Sequence, residues 1–322
     1  MTDSAPIVVA GEALIDLVPS GGGELRAHPG GGPFNTARAA ARLGAPVAFL
    51  GRLSTDRFGL QLRAVLESDG VATHRAIATD DPTTLAVAEV DPDGAATYRF
   101  YAAGTSAPGL TTAQAATALP DQAAMLCVGT LGLVFEPSAG ALEDLVAAAG
   151  DDVLVAVDPN CRPAAIPDPE AYRARLDRIL ARADLVKASD ADLAWLEPGL
   201  APAAAMRALI GSGRSTACAG VVTLGADGAL IVPAGGEEPI AVAAPRTDVV
   251  DTIGAGDAFL GGLLAWWQRA GRDRAGLGDA QALTAAVRYA VAVAARTCAR
   301  AGADPPYADD PRLAEAVGPP RT

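Results

Sequence analysis

The sequence predicts an α/β fold, a doubly wound and mostly parallel sheet in a single domain over residues 1–322. Three observations predict it. Short apolar runs alternate with amphipathic, alanine-rich stretches along most of the chain, which is the βαβ rhythm. Hydrophobic residues make up 50% and aromatic residues only 4%, so a large core must be built from Ala, Val and Leu. No repeat or linker interrupts the pattern, and α/β folds often run past the usual domain length as one unit.

IVVAGEALIDLV, from Ile7, reads as one buried opening strand. PFNTARAAARLG is an alanine-rich helix stopped by Gly44. PVAFLG is a short strand, and DRFGLQLRAVLESDG is an amphipathic helix with Asp56 at its start. The rhythm then breaks: TTLAVAEVDPDGAATYRFYAAG reads as two alternating strands around a D-P-D-G turn. AAMLCVG (strand) and EPSAGALEDLVAAAG (helix) resume the pattern. DVLVAVDPN is a buried strand, followed by a helix from about Pro169 to Ala183. DLVKAS, DADLAWL and GVVTLG read as strand, short helix and strand. GALIVPA and PIAVAAP are antiparallel candidates, and two helices near 255–270 and 279–300 close the chain. The tail, with prolines at 305, 306, 311, 319 and 320, is expected to be loosely packed. The hairpin around 84–101 does not fit a parallel core, and such an excursion commonly covers a site, so a lid is expected there.

Charge and composition exclude several functions. The net charge of -13 and the lack of a Lys/Arg run disfavour nucleic acid and anionic membranes as partners. Cys127, Cys161, Cys218 and Cys298 are scattered, which suits reduced cytosolic thiols rather than zinc or disulfides. With only His28 and His74, a histidine metal site or a Ser-His-Asp triad has little to build on. The N-terminus has no basic region ahead of its apolar run, and YAVAVAA between Arg288 and Arg296 is too short to span a bilayer. The expectation is a soluble, cytoplasmic protein.

Phosphate chemistry has one strong candidate. A Walker loop is excluded because the only lysine, Lys187, lies in VKASD; the dinucleotide fingerprint is missing too, Gly30 to Asn35 coming nearest. DTIGAGD (251–257) remains. Gly254 and Gly256 let a ligand approach the backbone. The N–H groups of a first helical turn lack intrahelical partners and carry the positive end of the helix dipole, so they hold an anion. Asp257 would face the same pocket. A plain cap by Asp251 or Thr252 is the competing use of these residues.

D-T-x-G-A-G-D resembles the C-terminal signature of the ribokinase-like (PfkB) carbohydrate kinases. Three further segments resemble that family in order: GGGPFNTARAAARLG, then GRLSTDRFG, with Ser54 where Gly is usual, and VTLGADGAL. CARAGADPP resembles the adenine-side end of the branch near bacterial fructokinases. The resemblance implies a three-layer α/β/α sandwich with a mostly parallel central sheet and a small β lid from about 12–30 and 84–105. It implies Asp257 as catalytic base and Gly254, Ala255 and Gly256 as the backbone anion hole. Asp251 would organise the cation environment. Asp16, Gly31, Gly32 and Asn35 would bind sugar hydroxyls, and Thr223, Gly225 and Gly228 would lie along the nucleotide. The family's N-x-x-E falls on Ser189 and Asp192, both departures, so their magnesium and phosphate role is in question. ATP and Mg2+ are the implied cofactors, K+ is left open, and a homodimer through the lid is an expected assembly.

The remaining residues carry two readings each. Arg162, in DPNCRP, follows a buried strand and is either a surface ion pair or a ligand contact, near phosphates or against a substrate carboxylate. Lys187 either reaches phosphate or is solvated. Tyr98, Phe100 and Tyr101 either pack on apolar edges of a sugar or form the lid's own core. The expected activity is a sugar kinase, with fructose converted to fructose 6-phosphate, because 98–105 and 295–306 resemble that branch. A 2-keto-3-deoxygluconate kinase is the alternative; its acceptor carboxylate asks for a cation, and only Arg162 offers one. From other classes, an NAD-dependent oxidoreductase lacks its fingerprint, and a non-catalytic sugar sensor would have no use for Asp257.

Overall fold

The computed structural model describes residues 5–20, 24–90, 96–119, 123–211 and 219–313. The chain runs β1 (Ile7–Ala10), β2 (Leu14–Pro19), β3 (Leu25–Gly30), α1 (Gly32–Arg42), β4 (Val47–Leu50), β5 (Arg52–Ser54) and α2 (Arg57–Ser68). It continues with β6 (Ile77–Thr79), β7 (Leu85–Val90), β8 (Ala96–Tyr101), α3 (Thr112–Ala118), β9 (Met125–Gly129), α4 (Ser138–Ala147), β10 (Leu154–Asp158) and α5 (Pro169–Leu180). Then come β11 (Leu185–Ser189), α6 (Asp190–Leu196), α7 (Pro202–Gly211), β12 (Ala219–Thr223), β13 (Ala229–Pro233), β14 (Ile240–Val242), α8 (Ala255–Arg269) and α9 (Ala280–Cys298).

Among the described residues the main sheet has the order β14-β13-β12-β11-β10-β9-β1-β4. It is parallel from β12 to β4, and β13 and β14 are antiparallel. Its central strands are continuous apolar runs because both faces are covered. In β1, Ile7 and Val9 join the core with α1, α8 and α9, while Val8 and Ala10 join the core on the other face with α3, α4, α5 and α7. These are the three expected layers. Small residues set the spacing of α1 and α8: a Cβ on Gly261 would lie 2.6 Å from Ala39 Cβ and 2.7 Å from the Thr36 carbonyl oxygen.

Helix starts follow the expected chemistry. Asp56 caps α2 by accepting from the Gly59 N–H at 2.8 Å, and Asp168 and Asp279 cap α5 and α9. Gly44, at φ 85°, follows the end of α1.

IVVAGEALIDLV is not one strand. Gly11–Ala13 carry the chain out of the main sheet, so β1 and β2 belong to different sheets. The second sheet has the order β3-β2-β7-β8, with β2 and β7 parallel and the outer pairs antiparallel. The expected hairpin is present as β7 and β8; its D-P-D-G turn lies outside the described residues. Thr84 and Thr105 hydroxyls share a 2.6 Å bond, and the Ser106 N–H donates to the Pro82 carbonyl at 2.8 Å, closing the base of that hairpin. Leu14 and Ala86 of this sheet, with Tyr98 and Phe100, pack on Leu131, Phe135 and Ala165 at the carboxyl end of the main sheet.

The tail expectation is corrected in part. Pro305, Pro306 and Leu313 are buried. Arg42 binds Asp304 Oδ1 at 2.6 Å and the Pro305 carbonyl at 2.7 Å, and its guanidinium lies over the Tyr307 ring. Pro319 and Pro320 lie outside the described residues, as does Cys218. Among the described residues no helix is long and apolar enough to cross a membrane.

Candidate active site

Ligands of open α/β sheets bind beyond the carboxyl ends of the strands, where the loops converge. Here β1 leads to Glu12, β9 to Thr130, β10 ends on Asp158, β11 carries Lys187 and Ser189, and β12 ends on Thr223. Helix α8 starts above them. Gly254 takes φ 73°, a left-handed turn that suits glycine, and a Cβ there would lie 2.5 Å from Ala303 Cβ. Ala255 and Gly256 form the first turn, with Asp257 just behind.

Asp257 is buried and bonded from one side. Asn35 Nδ2 donates to its Oδ2 at 2.9 Å, and Thr36 Oγ1 donates to its carbonyl at 3.3 Å. Both donors stand on α1. Burial pushes the Asp257 carboxyl above its ordinary value, against the Asn35 bond and the charges of Lys187 and Arg162. A raised carboxylate is a better proton acceptor near neutral pH. Asn35 Oδ1 is buried with no protein partner, which leaves an acceptor for a ligand hydroxyl.

Lys187 lies beside this helix start. A Cβ on Gly256 would sit 3.1 Å from its ammonium, and the ammonium donates to Asp158 Oδ2 at 2.8 Å. Burial works against the Lys187 charge, but Asp158 outweighs it and raises the ammonium above its ordinary value.

Ser189 and Asp192 form a capping box on α6. The Asp192 N–H donates to Ser189 Oγ at 3.0 Å, and the Ser189 N–H donates back to Asp192 Oδ2 at 2.8 Å. Asp192 Oδ1 accepts from the Cys161 N–H at 2.7 Å. Both carboxylate oxygens therefore already hold the β10 loop to the β11 end.

On the opposite side, Asp16 of β2 is held near Asp257. Burial, then the Asp257 charge, push its carboxyl up to about 7, with Arg162 opposing. Gly31 bridges β3 and α1, and Gly32 packs on Thr130, whose Oγ1 would lie 2.4 Å from an added Cβ. Phe100 and Tyr98 face inward, their ring centroids 6.5 Å apart. Tyr101 does not alternate with them: it lies on the outer face, 55% exposed, because side chains two apart share a face. Arg162 is exposed and bonds the Asn160 carbonyl and side chain.

Thr223 pairs in register with Ser189, and Gly225 and Gly228 shape the turn from β12 to β13. Asp251 is spent on backbone: it accepts from the Ile253 N–H at 3.0 Å and the Gly302 N–H at 2.8 Å. The structure thus joins Asp257 to Asn35 by a hydrogen bond and to Asp16, Lys187 and Arg162 by charge, and Gly32 lines the same recess as Asp257; Phe100 packs in the small sheet's own cluster with Phe135. Among the described residues no group of three His, Cys, Asp or Glu residues is placed to hold a metal.

Three residues were missed from the sequence. Asp158 ends the apolar strand β10 and Glu12 follows β1 by two residues, so an acid at or just past an apolar run was the available signal. Glu12 accepts from the Gly32 N–H at 3.2 Å and the Gly132 N–H at 2.9 Å. Burial pushes its carboxyl up to about 8, those N–H groups oppose, and Asp257 adds to the rise. Thr130 takes φ 55°, uncommon for a β-branched residue, and no sequence signal marks it.

Comparison with known proteins agrees with this geometry. The fructokinase of Rhizobium leguminosarum bv. trifolii is 35% identical over 264 residues, covering 80% of this chain and 78% of that protein. Fructokinase-1 of rice (Oryza sativa subsp. japonica) is 34% identical over 308 residues, covering 93% of each. Among solved structures, the Vibrio cholerae O395 fructokinase in its fructose-, ADP- and calcium-bound form superposes with a TM-score of 0.81 at 28% identity, covering 93% of this chain and 94% of that one. Fructokinase from Xylella fastidiosa with bound ATP superposes with a TM-score of 0.86 at 27% identity, covering 96% and 98%. The pattern described as pfkB family carbohydrate kinase matches residues 4–310, and the chain belongs to that family.

Proposed function

We propose that the protein is an ATP-dependent fructokinase, transferring the γ-phosphate of ATP to the 6-hydroxyl of fructose. The observation that carries this reading is the buried Asp257 carboxylate, held by Asn35 at the start of α8, in a chain similar to fructokinases over most of its length.

Phosphoryl transfer through a loose transition state asks for positioning and charge neutralisation more than for a strong base. Asp257 accepts the proton of the attacked hydroxyl. The N–H groups at Gly254 and Gly256 receive the migrating phosphoryl oxygens, and Lys187 adds a full positive charge; the Ala255 N–H, expected in the same role, donates to the Thr252 carbonyl at 3.2 Å. Asn35 Oδ1, Asp16 and the Gly31–Gly32 backbone bind sugar hydroxyls. Phe100 packs against an apolar edge of the sugar, and Arg162 places positive charge at the mouth. Thr223, Gly225 and Gly228 line the nucleotide. Mg2+, when bound, neutralises phosphate oxygens. Asp251 and Asp192 have their oxygens on backbone donors, which favours a metal held through phosphates and water. The four-stranded sheet acts as a lid excluding water. Its edge strands expose Leu25 and Tyr101, 53% and 55% accessible, which supports a dimer through that sheet.

The test is a coupled ADP-release assay against fructose, 2-keto-3-deoxygluconate, ribose, adenosine and a phosphosugar, run with Mg2+, with EDTA, and with and without K+. Fructose should give the highest kcat/KM, and EDTA should abolish turnover. Preference for another acceptor would overturn the substrate assignment.

A further inference from the structure

Lys187 is the only lysine of the chain; every other basic side chain apart from the two histidines is arginine. Its partner follows from strand register. β10 and β11 run parallel with Val157 opposite Val186, so the next residues, Asp158 and Lys187, face each other where β10 ends. Their contact is 2.8 Å, and the two side chains are 6% and 3% exposed. Among the described residues, the Asp158 carboxylate makes no other side-chain hydrogen bond, and its Oδ1 is buried without a partner.

The ammonium in turn lies against the first turn of α8, 3.1 Å from the place a Cβ of Gly256 would occupy. An ammonium is compact, with three rotatable donors, whereas a guanidinium is a wide planar fork. A buried ammonium without a counter-charge loses its proton or leaves its place.

Resting on the kinase reading, we propose that Asp158 is a positioning residue that holds Lys187 charged and aimed at the α8 anion hole, and that this place takes lysine and excludes arginine. Asp158 touches neither sugar nor nucleotide; it acts through Lys187 alone. The ammonium then meets the negative charge that moves with the transferred phosphoryl group, so its loss falls on the chemical step more than on sugar binding.

The experiment uses the full chain with Asp158→Asn, Lys187→Met, Lys187→Arg and the double variant Asp158→Asn/Lys187→Met. Initial rates are measured against ATP and fructose, and ADP affinity by calorimetry, which needs no turnover. Asp158→Asn should lower kcat by about 10²-fold, the typical loss for one preorganised charge donor, with KM for fructose and ADP affinity changed by less than about threefold. Lys187→Arg should be as slow as Lys187→Met. The double variant should be no slower than Lys187→Met, since a residue acting only through its partner has no effect once the partner is gone. Three results would overturn the proposal: wild-type kcat in Asp158→Asn, restored activity in Lys187→Arg, or a further full loss from Asp158→Asn in the Lys187→Met background. A fall in kcat matched by equal losses in fructose and ADP binding would mean a structural role and would also overturn it. Wild-type protein that binds ADP but phosphorylates no sugar sinks the kinase reading instead, a result separable from these.

Discussion

Asn35 donates to Asp257 across 222 positions of sequence, at 2.9 Å. The bond fastens the first turn of α8 to α1, which begins where the chain returns from the small sheet. One carboxylate oxygen, Oδ2, is thereby fixed. Asp257→Ala should abolish turnover, with kcat down by at least about 10²–10⁴-fold, while ADP still binds by calorimetry. Activity within a factor of a few of wild type would remove Asp257 from the mechanism.

Asn35 also carries the proposed contact to the sugar. With Nδ2 committed to Asp257, its buried Oδ1 has no protein partner. Asn35→Ala should raise KM for fructose by about 10- to 100-fold, the cost of one or two polar contacts to a charged or hydroxylated group. ADP affinity should be untouched. A change confined to the nucleotide would place Asn35 elsewhere.

Gly261 sets how closely α8 approaches α1. Gly261→Ala forces a Cβ to within 2.6 Å of Ala39 Cβ, so the helices must separate. The expected loss is about 1–3 kcal/mol in urea unfolding, with kcat also falling because Asn35 and Thr36 are drawn off Asp257. Unchanged stability would mean that α1 shifts without strain.

Glu12 gives the fold a pH dependence with a definite sign. Its carboxyl rises from 4.5 to about 8 on burial, so the folded state binds the proton more tightly than the unfolded chain. This contribution is fully present below about pH 4.5 and is lost as pH rises through about 8. Glu12→Gln should therefore show a flatter stability curve than wild type between those limits, with a difference on the order of a few kcal/mol. Parallel curves would mean Glu12 titrates normally in the fold.

The lid role rests on the four-stranded sheet packed over the strand ends. Fructose with ADP should slow amide exchange in residues 85–90 and 97–101, read by mass spectrometry. The same segments should be unaffected in the Asp257-facing helix variant Asn35→Ala at fructose levels that leave its site empty. Equal exchange with and without ligand would make the sheet a fixed wall.

The parallel core was legible because its buried strands are short apolar runs and α2, α5 and α9 begin on capping aspartates, Asp56, Asp168 and Asp279. The join between β1 and β2 was not. Its apolar run is continuous, and only Gly11 and Glu12 mark the exit, a signal too short to separate from a strand residue with a buried acid. α3 and α7 were missed because alanine-rich stretches of seven and ten residues carry little periodicity. Within the site, DTIGAGD was readable because it is contiguous. Asp158 was not, because its meaning lies in the strand beside it, and strand neighbours are set by the order of the sheet rather than by sequence spacing. Tyr101 was misassigned by counting aromatics instead of following the two-residue period.

The lone lysine has a practical consequence. Acylating reagents that decorate most proteins at many surface amines find only one side-chain amine here, 2% exposed. Its rate of acylation measures how often this buried amine becomes accessible, and if it meets phosphate as proposed, nucleotide should slow it. The chain thus carries a single side-chain amine as a covalent probe of the proposed Lys187–phosphate contact.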